Sequence, residues 1–223
     1  MSRDPWRDAI RVGRGDPAQL CALLVELPAD GLQHAGNAVL TLARGSVSEA
    51  MAVELLAALR DRAWIGDGEL AAAVECHHLG LEPTGLVPIS VSLEDLAEVL
   101  DESVASESLF DLKSGVVWSG QLFDVGQGPD DFDPDDDQRW LLVVGLGPSV
   151  EMKNMERFIA TINDGQLAQR LADVISRPDA FRRFRPVLER APDEFTRWHR
   201  YRDDAWLGQA RHWLAQRGYE PTR

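Results

Sequence analysis

The residues best suited to chemistry are cationic and aromatic, and they crowd one stretch of the chain. From Arg177 to Arg217 it reads RPDAFRRFRPVLERAPDEFTRWHRYRDDAWLGQARHWLAQR. Guanidinium forks bind carboxylate or phosphate through paired hydrogen bonds, and indole rings can flank them. Arg182, Arg183, Trp198, Arg202, Asp203 and Trp206 are therefore the candidate ligand or partner site. The same residues have a structural reading. Arg202 falls among tryptophans on the apolar side of a helix, where its charge must be paired, stacked or snorkelled.

Other spacings are less suited to a reaction. Cys76, His77 and His78 are consecutive, so on a helix their side chains diverge by ~100° each and cannot meet one ion. Glu75 and His78 have the Glu-x-x-His spacing of di-iron bundles, without the second copy such sites need. His199 and Asp203 could be a base and its orienter, but no activated serine or cysteine accompanies them. The glycines of VVGLGPS lack both G-x-G-x-x-G and a P-loop lysine. Seven aspartates lie between Asp124 and Asp137, without the order of a calcium-binding loop, so a solvated acidic loop is expected over residues 124–138. That loop could also cover the arginines further on. No catalytic residue, metal site or cofactor is expected.

The elements that must position these groups are mostly helical. Residues 1–87 read as short helices forming a bundle or stacked hairpins: DPWRDAIRV, AQLCALLVEL behind an Asp16–Pro17 start, Asp30 to Ala43, EAMAVELLAALRDRA behind Ser46 or Ser48, and ELAAAVECHHLG. GLEPTGLVPISVS, with Pro83 and Pro88, reads as a boundary. Residues 88–223 then read as an α+β domain. SLEDLAEVLDES is a helix, LFDLKSGVVWSGQLF a hairpin turning at Lys113 to Gly115, and WLLVVGL a third strand whose apolar run predicts a place that is central or covered on both faces. The fold class is α+β and predominantly helical, with a small three-stranded antiparallel sheet packed by helices. The last long helix should begin near Asp193 and stop at Gly218, with Phe195, Trp198, Arg202, Trp206 and Trp213 on one side.

Charge sets further bounds. The chain of 223 residues carries −14 overall, which opposes attraction to nucleic acid and to anionic lipid. Residues 177–223 hold eleven arginines against seven carboxylates, so the first 176 residues carry −18. Two cysteines give no disulfide framework, and no stretch is long and apolar enough to span a bilayer. A cytoplasmic protein is expected.

Several segments, taken in order, resemble the bacterial uncharacterised protein family numbered 0158: VPISVSLEDLAEVLDES, FDLKSGVVW, MERFIATI, DAFRRFRPVL and WHRYRDDAWLGQARHWLAQRGYEP. The match covers about residues 88–220. Family members resemble one another in an L-D-L-x-x-G hairpin, an A-F-R-R-F segment and a W-x-x-[YF]-R-D ending. Here these are Phe110 to Gly115, Ala180 to Phe184, and Trp198, Tyr201, Arg202 and Asp203. The resemblance implies a cytosolic protein and no particular activity. Three functions are consistent with the sequence. The first is an interaction module binding another protein or an acidic ligand through the Arg/Trp surface. The second is a nucleic-acid-associated regulator using Arg182, Arg183, Arg185, Arg197 and Arg200. The third is an enzyme with a pocket between sheet and last helix.

Overall fold

A computed structural model describes residues 4–13, 16–25, 27–81, 83–102, 107–120 and 128–222. The fold is α+β and predominantly helical. Helices α1 (Pro5–Gly13), α2 (Pro17–Leu23), α3 (Leu32–Thr41), α4 (Glu49–Arg62) and α5 (Asp67–Val74) come first, and a wide π-helical turn over Glu75–Leu79 extends α5. Local chemistry sets their ends. Asp16 accepts the Ala18 and Gln19 amides, Ser48 accepts that of Met51, and Ala63, at φ 48°, closes α4. Their apolar stripes meet in a core that includes Leu20, Leu32, Val39, Leu55, Leu59, Leu70 and Val74.

The segment expected to be a boundary forms regular structure. Val87–Ile89 forms strand β1, which pairs in parallel with β5 (Tyr219–Pro221), Val87 opposite Tyr219. Pro88 has no N–H, and the chain reads as a linker until its partner, Glu220 in the register of β5, is known. An added ladder bond runs from the Thr222 amide to the Ile89 carbonyl at 2.7 Å.

Helix α6 (Leu93–Leu100), whose Ser92 cap accepts the Asp95 amide, leads into β2 (Glu107–Asp111) and β3 (Val117–Trp118). At the turn, Asp111 accepts the Lys113 amide at 3.0 Å and the Ser114 hydroxyl at 2.8 Å. Gly115 has φ 76°, and a Cβ there would overlap the Ser90 carbonyl. Residues 121–123 of the expected second strand lie outside the described residues, as do 124–127 of the acidic loop. Strand β4 (Trp140–Val144) pairs antiparallel with β2, giving the order β3-β2-β4. The expectation of a WLLVV strand that is central or covered on both faces is therefore corrected. It lies at the edge, with Trp140 and Val143 buried but Leu142 48% and Val144 43% exposed. An unbroken apolar run cannot distinguish a covered strand from one with greasy outward positions.

Helices α7 (Pro148–Ala160), α8 (Gly165–Ile175), α9 (Ala180–Leu188) and α10 (Pro192–Ala215) complete the chain. The 24 residues of α10 span roughly 36 Å. Its first half packs Trp198 and Tyr201 against Phe158 and Phe184; its second packs Trp206, Leu207, Trp213 and Leu214 against α6 and the sheet. A further strip, Asp204, Gly208 and Arg211, meets the first five helices. Gly208 and Gly66 touch backbone to backbone, so a Cβ on Gly208 would overlap the Ile65 carbonyl and one on Gly66 the Gly208 carbonyl. The N-terminal helices have a core of their own, and at Gly66 and Gly208 α10 meets them backbone to backbone.

Two predictions follow from this packing. Gly208→Ala should lower stability by about 1–3 kcal/mol through overpacking, measured by urea unfolding. Burial also pushes the Tyr201 hydroxyl from its ordinary 10.0 up to about 12. The folded pKa is raised, so its contribution is fully present below pH 10 and lost as pH rises toward 12, by about 2–3 kcal/mol. Tyr201→Phe should lack that alkaline loss.

Candidate functional site

The sequence singles out Arg182, Arg183, Trp198, Arg202, Asp203 and Trp206, and the structure places them in three settings. Trp198 is a core residue, its ring edge-on to Phe158 and Phe184, each with centroids at 5.0 Å. Arg182 and Arg183 stand in solvent on α9. Only Arg202, Asp203 and Trp206 share a wall, in a cleft of about 370 Å³ bordered also by Arg7, Ala97 and Asp101. The cleft lies between α1, α6 and α10 rather than between α10 and the sheet.

Within it the charges consume one another. Arg202 donates from Nε to Glu151 at 2.6 Å and from its terminal nitrogen to Asp101. Trp206 Nε1 donates to the other Glu151 oxygen at 3.1 Å. Burial pushes the Asp101 carboxyl up, and the Arg202 charge draws it back in part. Burial opposes the Arg202 charge, while Glu151 and Asp101 together hold its pKa above the ordinary value. Asp203 is bound by Arg7 of α1. His199 packs edge-on against Phe195, 4.6 Å between centroids, and burial followed by the nearby Arg185 pushes its pKa down. The i, i+4 His199–Asp203 pair is thus divided between an aromatic neighbour and an arginine.

The acidic loop also looks inward. Asp131 pairs with Arg139 at 2.7 Å, and Arg139 grips Asp111 through Nε at 2.9 Å while lying over the Trp140 ring. Among the described residues the loop's ion pairs go to Arg139 and not to the arginines beyond residue 177. His77 and His78 each place Nε2 at 2.9 Å from a carbonyl at the end of α3, Leu42 and Val39 respectively. Among the described residues no three His, Cys, Asp or Glu side chains converge as metal ligands.

The sequence did not reveal an ion-pair network at the heart of the structure. Arg62 spans Asp67 and Asp204, at 2.6 Å each, with all three side chains out of solvent. Its third partner is the Ala29 carbonyl at 2.8 Å, and its guanidinium lies 4.1 Å from the Trp64 ring centre. Asp204 also accepts the His34 amide at 3.0 Å, an N-terminal cap for α3 delivered from 170 residues away. Burial opposes the Arg62 charge, but the Asp67 hydrogen bond and the Asp204 charge outweigh it and hold its pKa above the ordinary value. A signal was present: Asp204, Gly208 and Arg211 recur at i, i+4 and i+7, a second strip beside the tryptophans.

Comparison with protein-family models, with curated proteins and with solved structures finds no match. Among the described residues no helix is long and apolar enough to cross a membrane.

These clusters separate by solvent access. Arg62→Met, which leaves two buried carboxylates unpaired, should cost about 3–5 kcal/mol in urea unfolding. Arg202→Met, at a wetter cluster whose arginine side chain is 29% exposed, should cost less than about half of that. Equal losses would contradict the ranking.

Proposed function

We propose that this chain is a non-catalytic interaction module that takes an acidic segment of a partner protein on the exposed face of α9. The observation that carries the reading is a basic surface left over after internal pairing. Arg197 is bound by Glu194, Arg200 by Asp4 and Asp30, and Arg202 by Glu151 and Asp101. On and beside α9, Arg177, Arg183 and Arg190 are exposed, and no described carboxylate lies within ion-pair distance of them. Arg182 and Arg185 make only solvent-facing pairs, with Asp179 and Glu189. Phe181 is 42% exposed beside them, an apolar foothold within the charged face.

Charge complementarity selects the partner. A basic face on a chain otherwise at −18 repels a polyanion overall while attracting a short acidic segment locally. Nucleic acid is the less favoured occupant for that reason. The cleft at Arg202 would suit an enzyme, but its arginine and two carboxylates already bind one another. The likeness to the 0158 family over about residues 88–220, and a cytoplasmic setting, belong to the same proposal.

Fluorescence anisotropy tests it, with a labelled peptide of alternating glutamate and aspartate around one leucine and, in parallel, labelled oligothymidylate. The expected peptide Kd is on the order of 10 μM at low salt, weakened roughly tenfold or more by Arg182→Glu with Arg183→Glu. Both positions are exposed, so the variant should unfold within about 0.5 kcal/mol of wild type. Equal peptide binding by wild type and variant, or tighter binding of the oligonucleotide, would sink the reading.

A further inference from the structure

Arg211 is a buried cation without a buried anion. It is 3% exposed in the middle of α10's inward strip. Its Nε donates to Gln33 Oε1 at 3.2 Å and a terminal nitrogen donates to Asn37 Oδ1, both neutral amides. The four carboxylates whose charges act on it most strongly are already engaged. Glu69 is held by His212 at 2.6 Å, Glu220 by the Thr84 hydroxyl at 2.9 Å, and Asp67 and Asp204 by Arg62. None of the described carboxylates comes within ion-pair distance of the Arg211 guanidinium, whereas Arg62, less deeply buried, has two. Burial accordingly pulls the Arg211 pKa down from 12.5 to about 10.

A cavity of about 150 Å³ opens on this side chain. One part of its wall is polar, with Arg211, Asn37, Thr41 and Thr222; another is apolar, with Leu40, Val91 and Leu93. The cavity is open to solvent on one side, and its volume limits a ligand to about the size of benzene. Buried cations are ordinarily matched by a charge, and the price of leaving one unmatched is several kcal/mol.

From this geometry we propose that the cavity is a binding site for a small monocarboxylate with a short apolar tail, its carboxylate on Arg211 and its tail against Leu40, Val91 and Leu93. A monoanion fits better than phosphate. Two of the guanidinium nitrogens are committed to amides, and the exposed carboxylate of Glu94 also lines the cavity, where it repels a second negative charge. The site is independent of the α9 surface, which lies on another helix.

Isothermal titration calorimetry on the whole chain tests the proposal with three probes: isovalerate, its neutral amide isovaleramide, and inorganic phosphate. Isovalerate should bind one per chain with a Kd of roughly 1 mM, isovaleramide and phosphate at least about tenfold more weakly. Arg211→Met should abolish isovalerate binding. Because that variant alters a buried network, Val91→Phe, which fills the apolar part of the cavity from a half-buried position, supplies a second test and should weaken isovalerate at least about tenfold. Saturable heat from the carboxylate alone supports the site. No saturation by isovalerate at several times that Kd, equal binding of amide and carboxylate, or unchanged affinity in Arg211→Met overturns it.

Discussion

The rest of the structure depends on neutralising the charge of Arg62 where water cannot reach it. Hydrophobic contacts tolerate sliding, whereas a buried guanidinium must meet its acceptors within tenths of an ångström or incur a desolvation cost of several kcal/mol. Asp67 comes from the start of α5 and Asp204 from the middle of α10, so one side chain fixes three helices relative to one another. The His34 amide on Asp204 adds α3 to the set. The backbone contact between Gly66 and Gly208 is the steric counterpart of this requirement. Only glycines let α10 approach closely enough for Asp204 to reach.

Helix α10 consequently answers to three surroundings at once. Trp198 and Tyr201 belong to the core of α7, α8 and α9; Trp206 and Trp213 belong to that of α6 and the sheet; Asp204 and Arg211 belong to the first five helices. The density of arginine and tryptophan that makes this stretch look like a binding surface arises from those obligations. Its rings fill cores and its arginines other than Arg211 meet carboxylates, among them Asp4, Asp30, Asp101 and Glu151. The shorter α9 has a single buried stripe, Ala180, Phe184 and Leu188, which leaves most of its circumference to solvent.

Much of the architecture was legible because it is local. The caps at Asp16, Ser48 and Ser92, the hairpin turn held by Asp111, and the start of α10 at Pro192 follow from chemistry within a few residues. The parallel ladder between Val87–Ile89 and Tyr219–Pro221 was not, since neither segment shows a strand signal without the other. Nor was the edge position of β4, which depends on which neighbour β2 takes on its far side. At the candidate site, the spacing correctly put Arg202 and Trp206 on one side of a helix but could not say that Glu151 and Asp101 would be waiting there. The importance of Arg62, Gln33 and Arg211 was hidden for the same reason, their partners being far away in sequence.

Protein synthesis gives the Arg62–Asp204 contact a temporal side. The two residues are 142 positions apart. At ~5–20 residues per second, roughly 7–30 s separate their addition to the growing chain. Throughout that interval the first helices have their own apolar core and Asp67, but no Asp204 to cap α3 and no Gly208 to cover the loop before α5. The nascent N-terminal half therefore waits with an undersupplied cation and an open docking face, in the condition that chaperones recognise.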